Sequence, residues 1–178
     1  HTPCAPGTYS ASAGQTSCTD CAAGTFQSQS GQQSCLPCTA SNYCGPGFAA
    51  ALPCPAGKYS NSAGLTSAGS CTDCPAGSSC STGSTSHAPC LPGSFSASAE
   101  QETCALCAAG KFTSTSGSTA CDDCTAGYLC VTGSSAPQPC PGGTHENQTV
   151  LNLTGYLSSL DECVVCPAGT TTAAATCD

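Results

Sequence analysis

Apolar side chains are sparse along the chain and recur at fixed distances from cysteines. Five segments open with Cys-x-x-Gly and carry an aromatic residue two positions after the glycine, at Tyr9, Phe26, Tyr59, Phe95 and Phe112. An alternating Ser-x-Ser stretch follows, and its period of two is typical of a short strand. A second glycine ten residues after the cysteine turns the chain back, with Glu100 at this place in one segment. The pattern predicts a tandem series of very small β-hairpins.

Two further kinds of segment differ from this pattern. The stretch Val150–Leu160 has apolar residues at spacings that allow a helix, and it predicts one helical turn. Three short intervals, each followed by nine residues with a proline just before the next cysteine, are interpreted as connectors between hairpins. These intervals are Cys38–Cys44, Cys74–Cys80 and Cys124–Cys130.

The cysteines define a long internal repeat. From Cys4 to Cys54 the gaps between successive cysteines are 13, 2, 13, 2, 5 and 9 residues, and the same gaps recur from Cys90 to Cys140, 86 residues later. After Cys140 the register slips by six. The sequence therefore predicts two super-repeats, residues 4–89 and 90–177, of which the second has an enlarged loop at 141–162.

Composition indicates that sulfur replaces a hydrophobic core. Ile, Met and Trp are absent, and Leu, Val and Phe together number 18 of 178 residues. Such a small apolar content cannot offset a conformational entropy cost of roughly 1–2 kcal/mol per residue. Twenty cysteines can do so, and they place the protein in an oxidising compartment.

Pairing each cysteine with its next neighbour uses all twenty. The predicted disulfides are Cys4–Cys18, Cys21–Cys35, Cys38–Cys44, Cys54–Cys71, Cys74–Cys80, Cys90–Cys104, Cys107–Cys121, Cys124–Cys130, Cys140–Cys163 and Cys166–Cys177. The alternative is a ladder of overlapping pairs, such as Cys18–Cys35 with Cys21–Cys38, and the sequence leaves both open. Local pairing predicts a small disulfide-rich repeat protein, an elongated tandem array of short β-hairpins and loops with almost no helix. Its radius of gyration should exceed the roughly 16 Å of a compact chain of this length.

Charge excludes several classes of partner. The formal net charge is −8, and Lys58 and Lys111 are the only cations besides histidine. Binding to nucleic acid or to an anionic membrane surface needs clustered cations, so neither is expected. No signal segment or apolar run long enough to cross a bilayer is present, and we expect a secreted product or part of a larger ectodomain.

The units Cys4-Ala-Pro-Gly-Thr-Tyr-Ser and Cys54-Pro-Ala-Gly-Lys-Tyr-Ser resemble the ephrin-receptor-like cysteine-rich repeat. This repeat is similar in style to the modules of tumour-necrosis-factor receptors. The resemblance extends over nearly the whole chain. It implies an extracellular module of a receptor, a matrix protein or a protist or algal surface protein, including the flagellar hairs called mastigonemes.

Metal and catalytic sites are not expected. The spacing of Cys18, Cys21, Cys35 and Cys38 matches a zinc ribbon, but these cysteines continue a periodic series, which favours disulfides. The histidines His1, His87 and His145 occupy unrelated repeat positions. Two carboxylate pairs, Glu100/Glu102 and Asp161/Glu162, lack the apolar surroundings that general acid–base catalysis requires. Acidic residues inside Cys-x-x-Cys can contact calcium, although solvated turns are favoured; they are Asp20, Asp73, Asp122 and Asp123.

Two N-glycosylation sequons, at Asn147 and Asn152, lie in the loop that breaks the 86-residue repeat. We therefore expect covalent glycans there, and the many Ser and Thr residues allow O-linked sugars as well. No cofactor is expected.

The termini suggest how copies associate. Placing Cys177-Asp178 against His1–Cys4 of another copy nearly rebuilds an intermodule junction, and such head-to-tail contacts build filaments. The function expected from the sequence is that of a non-enzymatic structural rod which forms or spaces a surface filament. A ligand-binding segment of a receptor or adhesion ectodomain is the alternative, although the scarcity of Arg, Trp and Tyr disfavours it.

Overall fold

The chain is built from two-stranded hairpins, in agreement with the predicted fold class. The structure, a computed structural model, describes residues 2–168 and the backbone of 172–173 and 176–177. Antiparallel pairs are β1 (Thr8–Tyr9) with β2 (Thr19–Asp20), β3 (Thr25–Phe26) with β4 (Leu36–Pro37), β5 (Asn42–Tyr43) with β6 (Leu52–Pro53), and β7 (Lys58–Tyr59) with β8 (Thr72–Asp73). Next come β9 (Ser78–Ser79) beside β10 (Ala88–Pro89), β11 (Ser94–Phe95) with β12 (Ala105–Leu106), and β13 (Lys111–Phe112) with β14 (Asp122–Asp123). The last pairs are β15 (Thr144–Glu146) with β16 (Cys163–Val165) and β17 (Thr172–Ala173) with β18 (Thr176–Cys177).

Each hairpin is named here by the cysteine that opens it. In the Cys4 hairpin the first strand contains the aromatic residue, and the second strand is the dipeptide between Cys18 and Cys21. The predicted strand at Ser-x-Ser is wrong, because the first strand ends at Tyr9 and the residues after Ser10 form a bend and a turn rather than a ladder. Strand pairing needs a partner segment, and the residues inside Cys-x-x-Cys provide it.

Nine disulfides join cysteines that are neighbours in sequence, and this confirms the sequential pairing over the overlapping ladder. They are Cys4–Cys18, Cys21–Cys35, Cys38–Cys44, Cys54–Cys71, Cys74–Cys80, Cys90–Cys104, Cys107–Cys121, Cys124–Cys130 and Cys140–Cys163. The tenth predicted pair, Cys166–Cys177, lies outside the described residues because the Cys177 side chain is not described. The four cysteines whose spacing matches a zinc ribbon are all in disulfides, as the periodic series predicts.

The three short intervals are hairpins in their own right, so their interpretation as connectors is wrong. Strand β5 pairs with β6 after Cys38, and β9 lies beside β10 after Cys74. After Cys124, Leu129 and Gln138 form an antiparallel bridge. In each, the sixth residue after the opening cysteine is itself a cysteine, and it pairs with the opener. The hairpin therefore keeps its shape while its disulfide occupies a different position.

The chain groups into two compact units. The first comprises His1–Pro75, Ser79–Ala88 and Ala99–Thr103, and the second comprises Ala76–Ser78, Pro89–Ser98 and Cys104–Asp178. The boundary between the two super-repeats at residues 89 and 90 stays a prediction of the sequence.

Half-cystines make up most of the buried apolar residues. Among the described residues, Leu129 and Leu157 are the only other buried hydrophobic side chains, at 5% and 0% exposure. This agrees with the inference from composition that covalent links replace a conventional core.

The loop at 141–162 contains the one α-helix of the described chain, α1 (Gln148–Thr154). The predicted helix is thus present, although it starts two residues before Val150 and ends before Leu157. Asn147 caps its start, and Gly155, with φ of 81°, ends it in the left-handed conformation. Two short 3₁₀ helices, Ala68–Ser70 and Leu160–Glu162, complete the helical structure.

Candidate functional site

Consecutive hairpins are joined by main-chain hydrogen bonds. In the first unit the N–H of Gly7 donates to the carbonyl of Gln27 at 2.7 Å, and the N–H of Gly31 donates to the carbonyl of Cys4 at 2.8 Å. The N–H of Cys21 donates in turn to the carbonyl of Gly7 at 2.9 Å. Because these bonds use backbone groups, they do not restrict the side chains of the loops.

The second unit repeats the same three bonds 86 residues later. The N–H of Gly93 donates to Thr113 at 2.8 Å, that of Gly117 to Cys90 at 2.8 Å, and that of Cys107 to Gly93 at 2.9 Å. The repeat of cysteine gaps seen in the sequence therefore corresponds to a repeat of backbone bonding.

The first-turn glycine of a hairpin also lies against the hairpin after next. A Cβ added at Gly24 would stand 2.7 Å from the carbonyl oxygen of Gly64, closer than real Cβ atoms approach. We call this contact the glycine clasp. Equivalent clasps, each under 3.0 Å, join Gly7 to Gly47, Gly57 to Glu100, Gly77 to Gly117 and Gly93 to Gly133. The recurrence of this glycine three residues after the opening cysteine thus reflects a close approach of two backbones as well as a positive φ.

In seven of the described hairpins the sixth residue after the opening cysteine is buried inside the hairpin. It is a buried polar side chain in four hairpins, namely Gln27, Ser60, Ser96 and Thr113. The Gln27 amide donates to the carbonyl of Ser34 at 2.8 Å, and the Ser60 hydroxyl accepts the N–H of Ser62 at 3.1 Å. In the three hairpins with short disulfides the same position is Cys44, Cys80 or Cys130. One site is therefore held either by a hydrogen bond or by sulfur.

One part of the chain matches a known protein family. Residues 7–46 match the family model described as tyrosine-protein kinase ephrin type A/B receptor-like. This stretch is similar to an ephrin-receptor-like repeat. The resemblance inferred from Cys4-Ala-Pro-Gly-Thr-Tyr-Ser is thereby confirmed for the segment matched. No curated protein matches the chain. The disulfides and the ephrin-receptor-like repeat together indicate an extracellular or cell-surface location.

Both lysines of the chain lie at the same position of their hairpins, four residues after the opening cysteine. Lys58 in β7 pairs with Asp73 in the neighbouring strand, and its ammonium is also 3.4 Å from Glu100. Lys111 in β13 pairs with Asp123 in β14. The hydrogen bond to Asp73 raises the pKa of Lys58, and the bond to Asp123 raises that of Lys111. Two of the carboxylates considered for calcium therefore face a lysine, and all four lie on exposed strands.

Glu100 occupies the second-turn position that is glycine in most hairpins. Its φ is 62°, a left-handed value that is unfavourable for a residue with a Cβ. Its carbonyl forms the glycine clasp with Gly57, and its carboxylate approaches Lys58. Two features of the sequence point to this residue, its place in the repeat and Lys58, but 42 positions separate the two and no local pattern connects them.

The enlarged loop returns to the repeat through Leu157. Its N–H donates to the carbonyl of Tyr128 at 3.0 Å, and its carbonyl accepts the N–H of Cys130 at 2.9 Å. The parallel bridge of Leu157 with Leu129 corresponds to bridges of Leu65, Ser84 and Ser134 in other hairpins. The insertion is thus absorbed before Leu157, and α1 contains most of it.

Glu162 closes this loop. Its carboxylate accepts the N–H of Ser158 at 2.6 Å and of Ser159 at 3.2 Å, while the Ser159 hydroxyl accepts the N–H of Asp161. The bond from Ser158 is the main reason why the pKa of Glu162 lies below its usual value. This carboxylate, which the sequence analysis considered for catalysis, caps a turn.

The remaining candidate residues do not converge on a catalytic centre. The His87 ring packs against Tyr59 with centroids 5.5 Å apart, His145 lies in β15, and His1 lies outside the described residues. An open groove of about 540 Å³ beside the Cys4 hairpin is lined by hydroxyl and amide side chains such as Ser12, Gln15 and Gln32, and its described lining includes no acid or histidine. No described group of acidic, histidine or cysteine residues is arranged to hold a metal ion. No helix in the described chain has the length and apolarity to cross a membrane.

Proposed function

We propose that the chain is a non-enzymatic extracellular structural protein, a glycosylated, disulfide-stapled rod that forms or spaces a cell-surface or flagellar-hair-like filament. The observation that carries this proposal is the way in which the hairpins are connected to one another. Disulfides stay within one hairpin, while backbone hydrogen bonds and glycine clasps connect a hairpin to the next two. Such short-range connections are typical of solenoids, in which each unit contacts its near neighbours.

Mechanical and proteolytic resistance follows from the same arrangement. Each closed loop limits how far the chain can extend when pulled, because a disulfide stops extension at its own hairpin. The two trypsin cleavage sites, after Lys58 and Lys111, lie on paired strands, and both lysines are also engaged in ion pairs. A structural role uses these properties, whereas an enzyme needs a desolvated acid–base group, for which the described cavities offer no candidate.

Self-association is the partner assignment that fits a repeat. Backbone groups that join one hairpin to the next are common to all hairpins, so a second copy offers the same complementary surface. A head-to-tail contact of this kind propagates as a filament. Direct membrane contact and nucleic acid are not part of the proposal, given a formal net charge of −8.

Small-angle scattering and electron microscopy of the secreted chain test the proposal. A rod has a radius of gyration well above the roughly 16 Å of a compact protein of this length. We also expect the sedimentation coefficient to rise with concentration as copies associate. A compact monomer at all concentrations would contradict the rod and the filament together.

A receptor segment is the alternative. The matched family model is itself named for receptors. The enlarged loop exposes apolar side chains, with Leu153 81% and Leu160 59% exposed. The receptor hypothesis would be supported over the filament if the chain is strictly monomeric and binds a soluble protein through this loop. Leu153→Ser should then abolish binding.

A further inference from the structure

The enlarged loop presents two asparagines in a setting that no other hairpin has. Asn147 and Asn152 each begin an Asn-x-Thr sequon, and they lie at the start and in the middle of α1. Helix α1 buries none of its side chains. Its stability comes from its two ends, and a bulky group on its surface displaces no packing.

Asn147 uses one end of its amide and leaves the other available. Its Oδ1 accepts the N–H of Thr149 at 3.0 Å and of Val150 at 3.4 Å. Its Nδ2 donates no hydrogen bond among the described residues. Glycosylation takes place on the amide nitrogen, so a sugar there is compatible with the helix cap.

Asn152 is exposed, and its side chain makes no hydrogen bond within the described chain. It is followed by Leu153, which is 81% exposed. A glycan on Asn152 shields this apolar side chain from water.

We infer that Asn147 and Asn152 both carry N-linked glycans, and that α1 is a carrier helix which keeps the sugars away from the stacked hairpins. This deepens the proposed extracellular function and rests on it. Elsewhere the sequence contains no Asn-x-Ser/Thr sequon.

The reaction transfers an oligosaccharide from a lipid-linked diphosphate donor. The amide Nδ2 forms a bond to the anomeric carbon, the bond from that carbon to the diphosphate oxygen breaks, and the lipid diphosphate leaves. One amide proton is lost to the transferring enzyme, and no oxidation or reduction occurs. Thr149 and Thr154 stand at the third position of the two sequons, so each meets the Asn-x-Ser/Thr requirement for transfer.

Peptide mass mapping of the chain secreted from a eukaryotic host tests this inference. Cleavage after Glu146 and Glu162 releases residues 147–162, which contain both sequons. We expect this peptide to carry two glycans, and enzymatic deglycosylation in ¹⁸O-water to label both asparagines as aspartate.

Matched variants separate the sugar from the helix cap. Thr149→Ala removes the first sequon while leaving the Asn147 cap in place, and Thr149→Ser preserves both. Asn152→Gln removes the second sequon at an exposed position. One glycan mass should be lost in Thr149→Ala, one in Asn152→Gln, and none in Thr149→Ser.

A secreted, fully disulfide-bonded chain with an unmodified 147–162 peptide would overturn the inference and leave the structural function standing. A single glycan would overturn it for the other asparagine. A doubly glycosylated chain that is a compact monomer would instead overturn the proposed rod and preserve the glycan assignment.

Discussion

A single absent side chain determines how closely hairpins approach one another. Gly24 and Gly64 form one glycine clasp, yet the two positions differ in what surrounds them. Both have positive φ, 85° and 76°, but a Cβ on Gly24 would meet the Gly64 carbonyl, whereas one on Gly64 would meet open space. The same substitution therefore separates the cost of the backbone conformation from the cost of overlap.

Gly24→Ala should destabilise the oxidised protein more than Gly64→Ala. The left-handed conformation costs roughly 1–2 kcal/mol in both variants, and overlap adds about 1–3 kcal/mol in Gly24→Ala. Guanidinium chloride denaturation without reductant measures the difference. Equal loss of stability in the two variants would mean that the clasp is not close enough to exclude a methyl group.

The carboxylate of Glu162 gives the enlarged loop a dependence on acid. Its pKa is lower in the folded chain because the N–H of Ser158 bonds the charged form. The stabilisation is thus present at neutral pH and is lost as the pH falls through the lowered folded pKa, below the usual value of about 4.3. The protection of the Ser158 amide against hydrogen exchange, after correction for the intrinsic rate, should fall in that range.

Glu162→Gln should make the exchange of the Ser158 amide insensitive to pH after correction for the intrinsic rate. Glu102→Gln removes a carboxylate from an exposed position and controls for the change of net charge. If Glu162→Gln keeps the acid-dependent step of the wild type, the carboxylate is not the group that holds the turn.

At the residue scale the sequence predicts conformation better than contact. Positive φ at Gly24 follows from its place after the cysteine. The glycine clasp does not, because Gly64 lies 40 positions further on and nothing local couples the two. The ion pair of Lys58 with Glu100 escapes prediction for the same reason.

Hairpins differ in how well they shield their sulfur. In Cys38–Cys44 both cysteines are fully buried, as are both in Cys74–Cys80 to within 2%. By contrast, Cys18 of Cys4–Cys18 is exposed. Attack by a thiolate requires access to the sulfur, so burial protects the short disulfides.

Mild reduction of the native protein should open Cys4–Cys18 before Cys38–Cys44. Quenching by alkylation at successive times, followed by peptide mass mapping, gives the order of opening. Cys74–Cys80 serves as a second buried example, and it should resist with Cys38–Cys44. Simultaneous loss of all three pairs would indicate that global unfolding, rather than burial, controls reduction.

Leu157 anchors the enlarged loop. Leu157→Ala removes a fully buried side chain that faces Leu129 and should cost about 2–5 kcal/mol. Leu153→Ala, at an 81% exposed position of the same loop, should change stability by less than about 0.5 kcal/mol. Thermal denaturation followed by the Tyr128 and Tyr156 signals compares the two, and equal effects would contradict the anchoring role.

At the element scale the hairpins and their disulfides were predictable, while their strand positions were not. The period-two serines predict a strand from Ser10 onward. The partner segment, Thr19–Asp20, pairs instead with Thr8–Tyr9. The three short intervals look like connectors in the sequence because a cysteine at the sixth position interrupts the hairpin pattern. A comparison of the sixth position between hairpins identifies the interval from Cys38 to Cys44 as the start of a hairpin whose disulfide lies at that position.

Across the whole molecule, stability depends on oxidation. With 18 residues of Leu, Val and Phe in 178, the reduced chain has little apolar area to bury. Complete reduction and alkylation should therefore abolish the hairpins, seen as loss of the tyrosine near-ultraviolet circular dichroism. Retention of native signals after alkylation of all cysteines would show that backbone bonding suffices without sulfur.

Composition and cysteine spacing predict the overall organisation of the molecule well, since they indicate that its stabilising links are disulfides between cysteines close in sequence. What they leave out is the connection between hairpins. The bonds from Gly7 to Gln27 and from Gly31 to Cys4 join main-chain atoms, and main-chain atoms are the same in every sequence. Their pairing becomes visible once the turns are placed in space.

The re-entry of the chain at Leu157 makes the segment before it replaceable. Because α1 buries none of its side chains and the bonds to the preceding hairpin resume at Leu157, a foreign peptide grafted between Asn147 and Gly155 should leave the neighbouring hairpins in register. The enlarged loop is thereby an insertion point for peptides of other sequence.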